Sequence, residues 1–296
     1  MKTMEARNLG EADLVRSRPI GIRWTMGDVR ARGFEALRLS IWGAWHVFGP
    51  EAAYVVCVNG LQAGEARART GPVPEAVAWL DISHAMPDVL RGPLGRQGPR
   101  GSYWKLAPLR LFPDRHEISL DNDCILWDLP LAMRRWLEVP AATAGGLMAE
   151  DVRGCYGQFE ALCPPEPRNA GIRGLPPGFD LEGALRSALA RRQCQTGRPV
   201  VFDEEEDLDE QGLQVAALSP HGPVRAVSLD DVTVCSPFHP HLPHLGRCGA
   251  HFVGLNARSI DWDYYDRPAN AWMAEHWARH LPALRERTGT PVDEMA

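Results

Sequence analysis

Two aspartates, Asp121 and Asp123, interrupt an otherwise apolar run, Glu117-Ile-Ser-Leu-Asp-Asn-Asp-Cys-Ile-Leu126. On an extended backbone, residues i and i+2 face the same way, so both carboxylates would reach one point. Paired carboxylates give hard oxygen ligands to Mg²⁺ or Mn²⁺. An ion held there could bridge a diphosphate and neutralise the charge that develops on a leaving nucleotide. Burying two like charges without a counter-ion is costly, which argues for a cation. The competing reading is a turn between two short strands, with Asp121 and Asp123 solvated.

Other residues carry metal chemistry by type. His239, His241 and His244 lie between Cys235 and Cys248, with His251 just beyond. Imidazole and thiolate are zinc ligands, but the spacing matches no standard zinc module, and Pro237, Pro240 and Pro243 point to an extended loop. Asp203-Glu-Glu-Glu-Asp207 reads as the solvated start of a helix, where the helix dipole favours acids.

The surrounding elements must position these groups. Ile20–Gly27 reads as a strand ending in a turn. Asp28 is a candidate cap for a helix running to about Phe48, because Phe34, Leu37, Ile41, Trp45 and Phe48 recur at steps of three and four. Gly49-Pro50 ends it. Tyr54–Val58 is the next strand, completing a β-α-β unit that implies parallel pairing. Val77–Ile82 and Glu117–Leu126 are further strands, and residues 91–102 read as a loop. Helices are expected near 130–138, 148–161, 180–192 and 204–217. Strands are expected near 198–202, 224–229 and 250–255. Pro268 opens a last helix, Ala269 to about Leu281. Residues 1–18 read as a polar arm, and 19–296 as a single α/β domain. That domain would have a mainly parallel central sheet, helices on both faces and a less regular second half.

Composition excludes several classes. The chain of 296 residues has 45% hydrophobic and 24% charged residues, enough for a real core. A net charge of -6 gives no general attraction to nucleic acid or an anionic membrane. No run of about 18 apolar residues offers a membrane span. The opening residues lack the apolar core of a signal peptide. The odd count of 7 cysteines, several in apolar runs, suits reduced buried thiols in the cytoplasm. Lys105 is the sole lysine beyond Lys2.

Over roughly residues 18–256, the chain resembles GT-A fold glycosyltransferases. The resemblance rests on Ile20–Gly27, the helix to Phe48, Tyr54–Asn59, Lys105 and the D-x-D at Asp121-Asn122-Asp123. His251-Phe-Val-Gly254 is similar to the H-F-x-G element of the retaining glycogenin and galactosyltransferase group. The resemblance implies that Asp121, Asp123 and His251 hold Mn²⁺ or Mg²⁺ against a nucleotide-diphosphate sugar donor, with an unknown acceptor. It implies that Trp24, Thr25 and Gly27 contact base and ribose, with Asn59 a further candidate at the end of the second strand. Trp24 has core packing as its alternative. It gives Lys105, Asn122 and Gly254 places around the donor. Asn169-Ala-Gly171 with Gly174 looks like the N-x-G-x-x-G segment that lines a sugar pocket, and Glu210-Gln211 like the acidic-Gln pair on the acceptor side. The group's phosphate-gripping lysine is absent after Gly254, so Asn256 or Arg258 would have to substitute.

The same residues bear on rival functions. A haloacid-dehalogenase-type phosphatase would place its aspartates near the N-terminus and a lysine downstream, and neither is present. A sugar-nucleotide nucleotidyltransferase shares the sheet and the metal but opens with a Gly-rich basic loop, unlike Trp24-Thr-Met-Gly27. A binding protein of the same fold that has lost turnover would keep the site and release no nucleoside diphosphate.

Overall fold

The computed structural model describes residues 20–95, 101–140, 143–202, 208–237, 244–256 and 263–291. The expected arm over 1–18 and the acidic run 203–207 lie outside these residues, as do His239, His241 and Arg258.

A seven-stranded sheet forms the centre. Its strands are β1 (Ile20–Met26), β2 (Ala53–Val58), β3 (Val77–Asp81), β4 (His116–Leu120), β6 (Leu147–Glu150), β7 (Arg168–Leu175) and β8 (Arg225–Val227). Their order is β3-β2-β1-β4-β7-β6-β8. β3, β2, β1 and β4 are mutually parallel, β8 is parallel to β6, and β7 runs antiparallel to both its neighbours. A second, three-stranded sheet joins β5 (Cys124–Leu126), β10 (Gly249–Phe252) and β9 (Val232–Cys235). A short hairpin, β11 (Asp263–Tyr264) and β12 (Arg267–Pro268), precedes the last helix. The expected α/β architecture, with a mainly parallel central sheet and helices on both faces, is present.

The β1 alternation explains its place. Ile20, Ile22, Trp24 and Met26 are each no more than 1% exposed and join Phe34, Leu37 and Ile41 in one core cluster. Those last three belong to α1 (Ala31–Phe48), the crossover that parallel pairing of β1 and β2 requires. α2 (Ala63–Thr70) links β2 to β3, and α4 (Leu131–Glu138) adds Met133 and Trp136 to the same cluster. A second cluster holds α3 (Asp88–Leu94), α5 (Leu181–Thr196) and α6 (Leu208–Leu218) with Met148 and Leu175. α7 (Ala269–Thr288) packs Met273 and Trp277 onto Ala250 and Phe252 of the small sheet.

Several expectations are corrected. α1 starts at Ala31 after an uncapped Arg30, and Asp28 instead accepts from Arg69 at 2.9 Å. The single strand expected over Glu117–Leu126 is broken at the carboxylates, so that β4 and β5 belong to different sheets. The helix expected over 148–161 is β6, a coil and a 3₁₀ turn at Gly157–Leu162. Leu147, Met148 and Ala149 are an apolar run buried on both faces, a strand signature that lacks alternation. Residues 198–202 form no strand, and the loop expected over 91–102 contains part of α3 and the start of a 3₁₀ turn, Gly101–Leu106. β7 and β9 went unread. Among the described residues no helix is long and apolar enough to cross a membrane. The seven cysteines form no disulfide.

Candidate metal and nucleotide-sugar site

Because β1, β2 and β4 are parallel, their carboxyl ends emerge on one edge, where open α/β sheets bind ligands. Gly27 follows β1, Asn59 follows β2 and Asp121 follows β4. Asn59 ties the first two ends together, its Nδ2 donating to the Met26 carbonyl at 3.2 Å.

The chain turns at Asp121, where the Cys124 amide donates to the Asp121 carbonyl at 3.0 Å. β5 then pairs with β10 in a register that sets Cys124 opposite His251. The Phe252 amide closes on the Asp123 carbonyl at 3.0 Å. This pairing brings the imidazole to the carboxylates: His251 Nε2 lies 3.5 Å from Asp121 Oδ2 and 3.3 Å from Asp123 Oδ1. One ligand atom from each of the three residues lies within 4.8 Å of the others. Neighbouring ligands around an octahedral ion with bonds of about 2.1 Å are about 3 Å apart, and opposite ones about 4 Å. The three side chains therefore fit one small divalent cation.

Close packing makes the cluster possible. A Cβ on Gly171 would sit 2.2 Å from His251 Cε1. Gly171 lies where the β6–β7 register jumps, Met148 facing Arg173 and Ala149 facing Asn169, and its carbonyl accepts from the Asp121 amide at 2.9 Å. Such a bulge re-aims backbone and side chains beside a site. On α1, Gly43 lets the helix approach the Leu126 carbonyl, and the Gly33 carbonyl accepts from Asn122 Nδ2 at 3.1 Å. Asn122 thus turns away from the carboxylates to anchor the turn. Asn256 donates to Asn122 Oδ1 at 2.9 Å and to Asp123 Oδ2 at 3.2 Å.

The electrostatics call for a cation. Asp121, Asp123 and Glu210 face Lys105, whose Nζ lies 2.8 Å from Asp121 Oδ2 and 3.9 Å from Glu210 Oε2. Three carboxylates therefore gather around one lysine and the His251 imidazole. In the metal-free protein the imidazole supplies charge. Burial alone would lower the pKa of His251, but hydrogen bonds with Asp121 and Asp123 raise it to about 9. Burial likewise opposes ionisation of Asp121, yet Lys105 and His251 hold its carboxyl far below the usual range. Lys105 is raised by Asp121 and Glu210 against the opposing effect of burial. A divalent ion would replace the proton on Nε2.

Two cavities meet at the carboxylates. One, about 530 Å³, is lined by Thr25, Gly27, Asp28, Asn59, Asn122 and Asn256. The other, about 290 Å³, is lined by Asp151, Arg153, Asn169, Gly171, Glu210, Gln211 and His251. Ser102, Lys105, Asp121, Asp123 and Gly254 border both. Gly254 has a φ of 87°, a left-handed conformation that favours glycine at the turn after β10.

The structure gathers the expected residues around these cavities, except Trp24 and Gly174, the latter packed against Leu147 and Trp136. Trp24 is fully buried on the α1 side, its indole N–H donating to Ser40 Oγ at 2.8 Å, and it lines neither cavity. Strand alternation sends Trp24 into the core and leaves Thr25 at the cavity. Gln211 lines the smaller cavity, but both ends of its amide serve the backbone. Oε1 accepts from the Ala170 N–H at 3.0 Å, and Nε2 donates to the Cys155 carbonyl at 3.0 Å. His251 stands beside the carboxylates; of the histidines in the alternative zinc loop, His239 and His241 lie outside the described residues and His244 is exposed. Asp151 was missed. It follows β6, lines the smaller cavity and accepts from Asn169 Nδ2 at 2.9 Å. Its signal was the apolar run Leu147–Ala149, which ends in Glu150-Asp151 as a strand ends at a ligand edge.

No family model matches the chain, and no curated protein does. Solved structures do. An active-site mutant of LgtC aligns with a TM-score of 0.54 at 14% identity, over 93% of this chain and 98% of that one. The galactosyltransferase LgtC in complex with donor and acceptor sugar analogues gives 0.50 at 14% identity, with the same two coverages of 93% and 98%. The bifunctional glycosyltransferase WbbM gives 0.51 at 14% identity over 92% of this chain, which spans about half of that longer one, 52%. Strand order, cavity placement and these likenesses agree on the architecture: the chain has the GT-A glycosyltransferase fold.

Proposed function

We propose that the protein is a metal-dependent glycosyltransferase that moves a sugar from a nucleotide-diphosphate donor to an acceptor. One observation carries the reading: Asp121, Asp123 and His251 converge at the boundary between two cavities on the ligand edge of a GT-A sheet. LgtC, whose fold this chain shares, was solved with donor and acceptor sugar analogues. In this reading the larger cavity takes base and ribose, against Thr25, Gly27 and Asn59. The smaller takes the sugar, against Asp151, Asn169 and Glu210.

Asp121, Asp123 and His251 would hold Mn²⁺ or Mg²⁺, which when bound would supply Lewis-acid neutralisation of the diphosphate. The chain's own residues do the rest. Lys105 contributes a half-buried positive charge at the border of the two cavities, close to where diphosphate charge would develop. Asn122 and Asn256 fix the turn that carries the carboxylates. Gln211 braces α6 against β7, which leaves Glu210 as the carboxylate of that pair facing the sugar. Asn169 and Asp151, already hydrogen-bonded to each other, present further lone pairs to hydroxyls.

Titration calorimetry of UDP and GDP, with Mn²⁺ and with EDTA, tests the reading. Binding of one nucleotide that requires the metal supports it, and equal affinity in EDTA refutes it. Release of nucleoside diphosphate from a sugar nucleotide separates a transferase from a binding protein of the same fold.

A further inference from the structure

Glu210, Gln214 and Arg173 are each no more than 2% exposed, and they form a chain behind the smaller cavity. Gln214 lies one helical turn after Glu210 on α6, and Arg173 lies on β7. Gln214 Oε1 accepts from Arg173 Nη1 at 2.6 Å, and its Nε2 donates to Glu210 Oε1. A cation at one end and an anion at the other fix which way the amide points. Resting on the proposed activity, we propose that Arg173 and Gln214 are positioning residues that hold the carboxylate of Glu210 at the cavity wall.

The interposed amide matters. A direct Arg–carboxylate fork would engage both oxygens and draw Glu210 toward the core. The amide engages Oε1 and leaves Oε2 forward, 3.9 Å from Lys105 Nζ. Arg173 is an expensive choice for a merely structural place. Its Nε and Nη2 make no hydrogen bond among the described residues, and it is buried near the like charges of Arg23 and Arg110, offset by Glu117 and Glu210. Apolar residues at 173 and 214 would pack without that cost but would strand a buried carboxylate. The arrangement is therefore best explained by what it does for Glu210.

The test uses UDP-galactose, UDP-glucose and UDP-N-acetylglucosamine with Mn²⁺, following UDP release, and takes whichever the wild type turns over fastest. Gln214→Leu should lower kcat about tenfold or more while the Kd for UDP and Mn²⁺ stays within about twofold. Combined with Glu210→Gln it should add little further loss, because both changes remove one interaction. Arg173→Lys, which keeps the charge, should retain most activity, whereas Arg173→Met should behave like Gln214→Leu. Should Gln214→Leu fail to fold, the lysine and methionine pair carries the same comparison. Wild-type kcat in Gln214→Leu, or fully additive losses in the double variant, would overturn the positioning role alone. A wild type that releases no nucleoside diphosphate from these three or from GDP-mannose and GDP-fucose contradicts the proposed activity itself, and with it the role given to Glu210.

Discussion

His251 Nε2 stands 3.3 Å from Asp123 Oδ1, although Asp123 lies in the turn before β5 and His251 on the distant strand β10. The antiparallel pairing of β5 with β10 creates this closeness, since it sets His251 opposite the residue that follows Asp123. His251→Ala should leave the fold intact and weaken Mn²⁺-dependent nucleotide binding by about tenfold or more, as loss of one of three protein ligands would. Calorimetry with UDP, Mn²⁺ and the variant checks it. Unchanged affinity would remove His251 from the metal site.

Metal binding should release a proton. The carboxylates raise His251 to about 9, so at neutral pH the imidazole is charged in the metal-free protein and must lose its proton to ligate. Apparent metal affinity should rise about tenfold per pH unit below that value and flatten above it. Titrations in two buffers of different ionisation enthalpy, at pH 7, should report about one proton released per ion. A value of zero would contradict the ligand assignment.

The same group gives a stability signature in EDTA. A histidine whose folded pKa exceeds its unfolded value of about 6.5 stabilises the fold fully below that pH. The contribution is lost as pH rises through about 9. The Tm of the metal-free protein should therefore fall between pH 6.5 and 9, and His251→Gln should flatten that fall. Parallel thermal melts of the two proteins would decide it.

Gly171→Ala should disable the site from outside its ligand set. The new methyl would lie 2.2 Å from His251 Cε1, and the imidazole has the carboxylates on its other side. Overpacking of this kind costs about 1–3 kcal/mol. We expect a lower Tm together with loss of metal-dependent UDP binding. A variant that binds UDP and Mn²⁺ normally would show that the imidazole can move without consequence.

Much of the nucleotide half was legible because its signals are local. The stripe from Phe34 to Phe48 and the apolar run at Tyr54–Val58 report α1 and β2 directly. The candidate metal ligands were legible by type, and the H-F-x-G resemblance at His251 linked a distant strand to them. The second half hides its elements. Met148 and Ala149 are buried on opposite faces, so β6 lacks alternation, and β7 carries a bulge within the Asn169-Ala-Gly171 segment. Trp24 shows the reverse limit: the resemblance set it against base and ribose with core packing as the alternative, and strand alternation decides for the core. The Arg173–Gln214–Glu210 chain depends on side chains from two elements and leaves no spacing to read.

The most direct measurement is the position of the ion. Crystals grown with Mn²⁺ and UDP, measured at the manganese edge, should give one anomalous peak about 2.0–2.4 Å from oxygens of Asp121 and Asp123 and from His251 Nε2. The diphosphate should complete its coordination, with the base in the cavity beside Thr25 and Asn59. A peak that touches none of these three side chains, or UDP bound there with no peak at all, would contradict the account.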